Sequence, residues 1–336
     1  MRDLARLVGI ALAAAVAVTA ADAPALRRES RRLMGTLFEI QAYEGDEARF
    51  ARAAGLAFDE MARVDRLLTN YDPASELSRM NRLAPRGPAH VPVELYAFVR
   101  ESRDYYDATL HAFDPTVGPL VRAWGFFTSH PAQPDAAAIE RAKGQSGFDK
   151  VRLDNESRTV SYTVAGLEFD PGGIGKGYAV DHAIAILRDE GLTSALVSAG
   201  GSTLYAIGRT PEHDGWRVAI KNPLNPEKPF GYVLLRDASL STSGVSEKSV
   251  VAGTHRYAHI FDPRTGEPME GMCQATVVAP TATQSDALSK PAFILSEDDV
   301  TRVIRRFRDV HALRVEGECG EKAVIWKTPW SEGVFQ

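Results

Sequence analysis

The chain has 336 residues, 44% hydrophobic and 25% charged, the balance of an ordinary soluble protein with enough apolar surface for one large domain or two. Its formal net charge of −5 excludes the strongly basic footprint that nucleic acid would need as its main partner. The two cysteines, Cys273 and Cys319, lack the spacing of a zinc site and allow at most one disulfide.

At the N-terminus, Arg2 and Arg6 precede an apolar run from Leu7 to Ala20, which ends in the small-residue pattern Ala21-Asp22-Ala23. That order reads as a secretory signal peptide over residues 1–23, followed by one domain over residues 24–336. The run is short of the roughly 20 residues a bilayer span needs, and no cysteine near the cleavage region offers a lipid anchor. The expected location is the periplasm or another extracytoplasmic space, with no stable membrane span in the mature chain.

"LMGTLFEIQAY" reads as an opening strand. Phe50, Ala54, Phe58, Met61, Val64 and Leu68 then recur at helical spacing, which predicts a long amphipathic helix with Asn70 as its stop. "VELYAFVRESRDYYDAT" and "AAAIERAK" give two more helices, and "FDKVRLDNESRTVSYTV" two short strands about an Asp-Asn turn. "KGYAVDHAIAILRDEG" is a helix ended by Gly191, and "SALVSAGG" a strand that runs into a glycine pair. "WRVAIKNP", "YVLLRDASLSTSG" and "CQATVVAP" are strand-like, and two last helices are expected to bracket "VHALRVEG" and "KAVIWKT". Strands and helices mix without strict βαβ alternation. The fold class expected is therefore α/β in the mixed α+β sense, built of two cooperating halves with no long linker.

An aromatic followed by Asp-Pro recurs at Asp72, Asp114, Asp170 and Asp262 with unequal spacing, so it marks turns and not a repeat. Asp can bond nearby amides while Pro presets φ, and such turns can bring carboxylates to strand ends. "FDPGGIGKGYAVDHA" places four glycines and a lysine between a strand and a helix start, where exposed amides suit a phosphate, although it is neither a P-loop nor a GxGxxG fingerprint. "HIFDPRTG" sets His259, Asp262 and Arg264 around a turn, which leaves open a catalytic dyad and a core histidine. In "TATQSDALSKPAFIL", Asp286 has the position of a helix-entry carboxylate with Lys290 as its i,i+4 partner. Pro291 removes a backbone bond and crowds the carbonyl of Ala287, so a constraint other than helix stability shapes that segment.

Taken in order, "MGT", "YDPASELSRMN", "FDPTVGPLVRAWGF", "GGIGKGYAVD", "LVSAGG", "WRVAIKNP", "STSG", "HIFDPRTG" and "TQSDALS" extend over residues 34–289, just short of Lys290. This combination resembles the ApbE family of FAD:protein FMN transferases. The resemblance implies an ApbE-like fold of two halves with the flavin and metal site between them. It also implies a Mg²⁺-dependent enzyme with FAD as substrate. FMN would pass to a Ser or Thr of an extracytoplasmic redox protein, in an Asp-x-x-Ser/Thr-Gly-Ala-Ser/Thr-like motif, through a phosphoester bond, and AMP would leave.

By the same resemblance, Met34, Tyr71, Ala112, Phe113, Asp114, Asp170, Lys176 and Ile260 fall on positions around FAD. Gly173, through its carbonyl, Asp286, Ser289 and Lys290 fall on the metal positions, and Asp286 is the catalytic candidate, as ligand and as acceptor of the hydroxyl proton. Lys290 departs from the pattern: the family commonly has Thr there, and a charged lysine has no lone pair to give a metal. Two other activities fit the same residues. One is a metal-dependent FAD pyrophosphatase that yields FMN and AMP; the other is a periplasmic flavin-binding protein without catalysis.

Overall fold

The computed structural model describes residues 24–125, 133–223, 225, 227–245, 249–252, 255–258, 260–317 and 324–336. The expected signal peptide and His259 lie outside them. Strands β1 (Ala25–Leu33) and β2 (Thr36–Glu44) form a hairpin that turns at Met34-Gly35, both with positive φ, the backbone that a two-residue hairpin turn demands. Helix α1 (Glu47–Leu68) is capped by the Asp46 side chain and buries the predicted face, Phe50, Ala54, Phe58, Met61, Val64 and Leu68. It ends at Thr69, one residue before the expected stop.

A short α2 (Glu76–Leu83), capped by Ser75, lies inside the "YDPASELSRMN" motif. Then come β3 (Ala89–His90), α3 (Val93–Ala108), α4 (Gly118–Ala123), α5 (Ala136–Gln145), β4 (Val151–Asp154) and β5 (Thr159–Tyr162). Strands β3, β5 and β4 pair as a small antiparallel sheet. Helix α6 (Gly175–Asp189) leads into β6 (Ala195–Ala199), β7 (Thr203–Ile207), the hairpin of β8 (Trp216–Ile220) and β9 (Gly231–Leu235), and β10 (Ala238–Gly244). A hairpin of β11 (Ser249–Ala252) and β12 (His255–Ala258) precedes β13 (Met272–Ala279), α7 (Ala282–Ile294), α8 (Glu297–Ile304), β14 (His311–Glu316) and β15 (Val324–Lys327).

One continuous sheet in the order β1-β2-β6-β7-β10-β13-β14-β15 carries the molecule. The two halves expected from the sequence share it: α6 lies over β6 and β7, α7 over β10 and β13, and the two helices pack on each other. Phe38, Ile40 and Ala42 of β2 and Ala275, Val277 and Ala279 of β13 point into the core beneath these helices and α1. The β8–β9 hairpin covers the opposite face, with Trp216, Val218 and Leu235 in one cluster with Leu240, Val278 and Leu313. Covered on both sides, β13 is buried at every residue and reads as a near-continuous apolar run.

The last two helices differ from expectation. Both α7 and α8 precede "VHALRVEG" and "KAVIWKT", which pair with each other as β14 and β15. The segment after β15 contains Pro329 and Gly333, poor residues for a helix interior, and it returns to the sheet through bonds such as Thr328 N–H to the Ala312 carbonyl at 2.9 Å. Cys273 in β13 is disulfide-bonded, and Cys319 lies outside the described residues. No helix of the described residues is long and apolar enough to cross a membrane.

Candidate active site at the junction of two helices

All four Asp-Pro motifs fold alike. The Asp side chain accepts from the amide two residues on: Ala74 at 2.8 Å, Thr116 at 2.8 Å, Gly172 at 2.7 Å and Arg264 at 2.9 Å. The turns at Asp114 and Asp170 are joined, because Asp170 N–H donates to the Pro115 carbonyl at 2.6 Å. The second of them opens a 3-10 turn, Pro171–Gly173, whose end starts α6.

Around the start of α6 several predicted residues converge. A side-chain carbon placed on Gly173 would stand 3.4 Å from Phe113 Cε2 and 3.7 Å from Lys290 Cε, and one on Gly175 would stand 3.5 Å from Met34 Cε. On the next turn, Gly177 N–H donates to Asp286 Oδ2 at 3.0 Å. Lys176 donates to Ser202 Oγ at 2.8 Å, and Lys221 Nζ lies 3.3 Å from where a side chain on Gly201 would begin. The two glycine-rich turns therefore face each other, with two ammonium groups at the second. A small cavity of about 30 Å³ there is lined by Gly201, Ser202, Lys221, Thr242, Gly244 and Gln274. Helix-start amides with lysines beside them suit an anion such as a pyrophosphate.

Helix α7 is buried almost all round, and its serines face β10. Ser285 Oγ bonds Ser239 and Ser241, each at 2.8 Å, and Ser289 Oγ bonds Ser243 at 2.8 Å. Its N-terminus is held by Thr281 and, from α6, by Asp181, which accepts from Ala282 N–H at 2.7 Å, Thr283 N–H at 2.8 Å and the Thr283 hydroxyl at 2.6 Å. Gly177 and Asp181 are four residues apart, so both face α7. The helix continues through Pro291 and closes with Leu295 N–H on the Pro291 carbonyl at 2.9 Å.

Asp286, 2% exposed, is the centre of this junction. Its Oδ1 is paired with the ammonium of Lys290, which also donates to the Asp286 carbonyl at 2.9 Å. The Ser289 hydroxyl donates to the same carbonyl at 2.8 Å. The structure thus joins Gly173 to Lys290 through the lysine stem, and joins Lys290 and Ser289 at the Asp286 carbonyl.

The flavin positions are more dispersed. Tyr71 is 72% exposed, whereas Ala112, Phe113 and Ile260 are buried in the main core, with Phe113 edge-on to Tyr105. Asp170 is half-buried, and burial pushes its carboxyl up against the opposing pull of the Gly172 amide. Asp181, Gly177 and the β10 serines were not singled out from the sequence. The only signal was the i,i+4 pair inside "GKGYAVD".

Burial pushes the Asp114 carboxyl up to about 6, although the Thr116 hydroxyl and amide both favour its anion. Its native value lies above the ordinary Asp value near 4, so between the two the native state binds more protons than the unfolded state. Its contribution therefore falls as pH rises from about 4 through about 6, by at most about 3 kcal/mol. Asp114→Asn keeps an oxygen for Thr116 and cannot ionise. Relative to the native chain it should gain about 1–3 kcal/mol at pH 7.5 and lose that gain near pH 4, as read by urea denaturation at both values. An unchanged difference at the two pH values would exclude this carboxyl as the source.

A model of the ApbE family matches residues 34–314. The chain is 31% identical over 304 residues to the FAD:protein FMN transferase of Escherichia coli strain K12, covering 89% of this chain and 86% of that protein. It is likewise 31% identical over 305 residues to one from Klebsiella pneumoniae strain 342, with the same coverage, 89% and 86%. Among solved structures, the ApbE protein of Thermotoga maritima superimposes with a TM-score of 0.81 at 28% identity, over 91% of this chain and 97% of that one. The apo form of the Pseudomonas stutzeri flavinyl transferase ApbE gives a TM-score of 0.81 at 26% identity, over 94% and 99%.

Proposed function

The chain belongs to the ApbE family, and from that premise we propose that it is an FAD:protein FMN transferase. It would move FMN from FAD to a Ser or Thr hydroxyl of an extracytoplasmic redox protein carrying the Asp-x-x-Ser/Thr-Gly-Ala-Ser/Thr-like motif. The signal-like residues 1–23 motivate that location. The observation that carries the reading is the convergence of the α6 start, the glycine turn and the Asp286–Lys290 pair at one junction. The α6 amides and Lys176 would bind and orient the pyrophosphate, and a cation beside Asp286 would balance the charge that develops as AMP leaves.

Mg²⁺ is the cation that the resemblance implies for Gly173, Asp286, Ser289 and Lys290. When bound, such an ion would neutralise pyrophosphate charge. These residues do not fit it as they stand. Asp286 Oδ1 and the Asp286 carbonyl hold the Lys290 ammonium, Asp286 Oδ2 holds Gly177 N–H, and Ser289 Oγ is bonded to Ser243 and to the Asp286 carbonyl. Among the described residues, no three His, Cys, Asp or Glu side chains cluster as a metal set.

The direct test mixes the purified protein with FAD, Mg²⁺ and a carrier bearing the acceptor motif, and follows flavin fluorescence on the carrier. Free FMN without labelled carrier would favour a pyrophosphatase, and unchanged FAD a binding protein. Within this reading Tyr71 is the cleaner probe of the flavin surface. Tyr71→Ala should weaken FAD binding by about 1–3 kcal/mol in a fluorescence titration, with melting unchanged. Phe113→Ala would empty a core position and cost about 3–5 kcal/mol of stability, so its binding loss would be ambiguous. An unaltered FAD titration for Tyr71→Ala would move the flavin surface elsewhere.

A further inference from the structure

Resting on the transferase reading, we infer that the Lys290 ammonium is the resident cation of this site and stands in the place of a divalent metal. A carboxylate as buried as Asp286 needs a counter-charge, because an unpaired buried anion is far too costly. The chain supplies one from its own helix, four residues on, in the favourable order of acid before base. The ammonium bridges the Asp286 carbonyl and Asp286 Oδ1, and the second is an oxygen that a metal held by this carboxylate would also use.

The lysine stem lies against Gly173, so the charge is carried to the glycine turn where α6 begins. Mg²⁺ binds oxygen at about 2.0–2.1 Å, closer than any hydrogen-bond donor, so ion and ammonium exclude each other from that oxygen by contact and by charge. The surrounding hydroxyls follow the same logic: Ser289 is turned to Ser243 and to the Asp286 carbonyl.

The chemistry balances without a metal. The acceptor oxygen forms its bond to the flavin-side phosphorus, the bond from that phosphorus to the bridging oxygen breaks, and its electron pair leaves on AMP. The hydroxyl proton passes to water. Lys290 keeps its protons throughout and contributes charge and hydrogen bonding, as lysines do at transferring phosphoryl groups.

The test titrates Mn²⁺ into the purified protein with FAD present, reading free Mn²⁺ by electron paramagnetic resonance, and runs the carrier assay in EDTA and in Mg²⁺. The native protein should show no saturable Mn²⁺ site and should label the carrier at similar rates in both. Lys290→Thr should gain one Mn²⁺ site, lose labelling in EDTA by at least about tenfold, and recover it with Mg²⁺.

One Mn²⁺ bound per native chain and displaced by Mg²⁺, or native labelling abolished by EDTA, would overturn the inference. So would undiminished labelling by Lys290→Thr in EDTA. A variant that fails to fold leaves the native Mn²⁺ and EDTA results to decide. A carrier unlabelled under every condition would sink the transferase reading, while the Mn²⁺ titration would still decide the role of Lys290.

Discussion

Gly177→Ala is expected to destabilise the protein by about 3 kcal/mol and to remove activity along with it. An added Cβ would sit 2.2 Å from the Ala282 carbonyl oxygen, 2.6 Å from its carbon and 2.8 Å from Asp286 Cβ. None of these is the loose end of a flexible side chain, so α6 and α7 would have to separate. Alanine's better helix propensity returns about 1 kcal/mol, whereas overpacking costs about 1–3 kcal/mol and the charged bond from Gly177 N–H to Asp286 about 1.5–3 kcal/mol. The steric and hydrogen-bond terms win. Gly144→Ala is the control: it lies near the end of exposed α5 with nothing within 4 Å, and should be neutral or stabilising by up to about 1 kcal/mol. Urea denaturation of both variants measures the difference, and equal stability would mean that the two helices have room to spare.

That close approach marks the boundary of what the sequence could tell. Where one element sets its own pattern, residues alone sufficed: α1 shows its buried face in its spacing, and each Asp-Pro motif contains both the acceptor and the constrained φ of its turn. The glycine loop was legible as a tight turn into a helix start for the same local reason. Helix α7 was legible in its ion pair but not in its start, because Thr281 caps it and Asp286 lies beyond the first turn; its serines carry no amphipathic stripe, because the helix is buried on nearly every side.

The partners of those residues lie far along the chain. Ser243 meets Ser289 at a separation of 46 residues, and Asp181 caps Ala282 at a separation of 101. No spacing rule links them; only the order of strands in the sheet does. The same holds for Phe113, whose place in an aromatic-Asp-Pro motif does not say that its ring is buried, and for Tyr71, whose ring is exposed.

Asp286→Asn is expected to lower FMN transfer by at least about 100-fold while FAD binding changes far less. Asparagine offers one acceptor oxygen and one amino group where aspartate offers two acceptors. Two donors face this side chain, Gly177 N–H and the Lys290 ammonium, so one of them must meet the new amino group and lose its partner. If the ammonium loses, it keeps its bond to the main-chain carbonyl of residue 286 but not its counter-charge, so its hold at the glycine turn is weakened on a side chain that is already 20% exposed. That exposure also limits the cost to the fold, to roughly 1.5–3 kcal/mol, less than breaking a fully buried pair. Asp286→Glu separates charge from placement: it keeps the anion but moves it by one methylene, and should recover part of the rate. Single-turnover labelling of the carrier, paired with FAD titration and melting of each variant, makes the distinction. Near-native labelling by Asp286→Asn would remove this carboxylate from the reaction, and a loss matched by lost FAD binding would assign it to substrate binding alone.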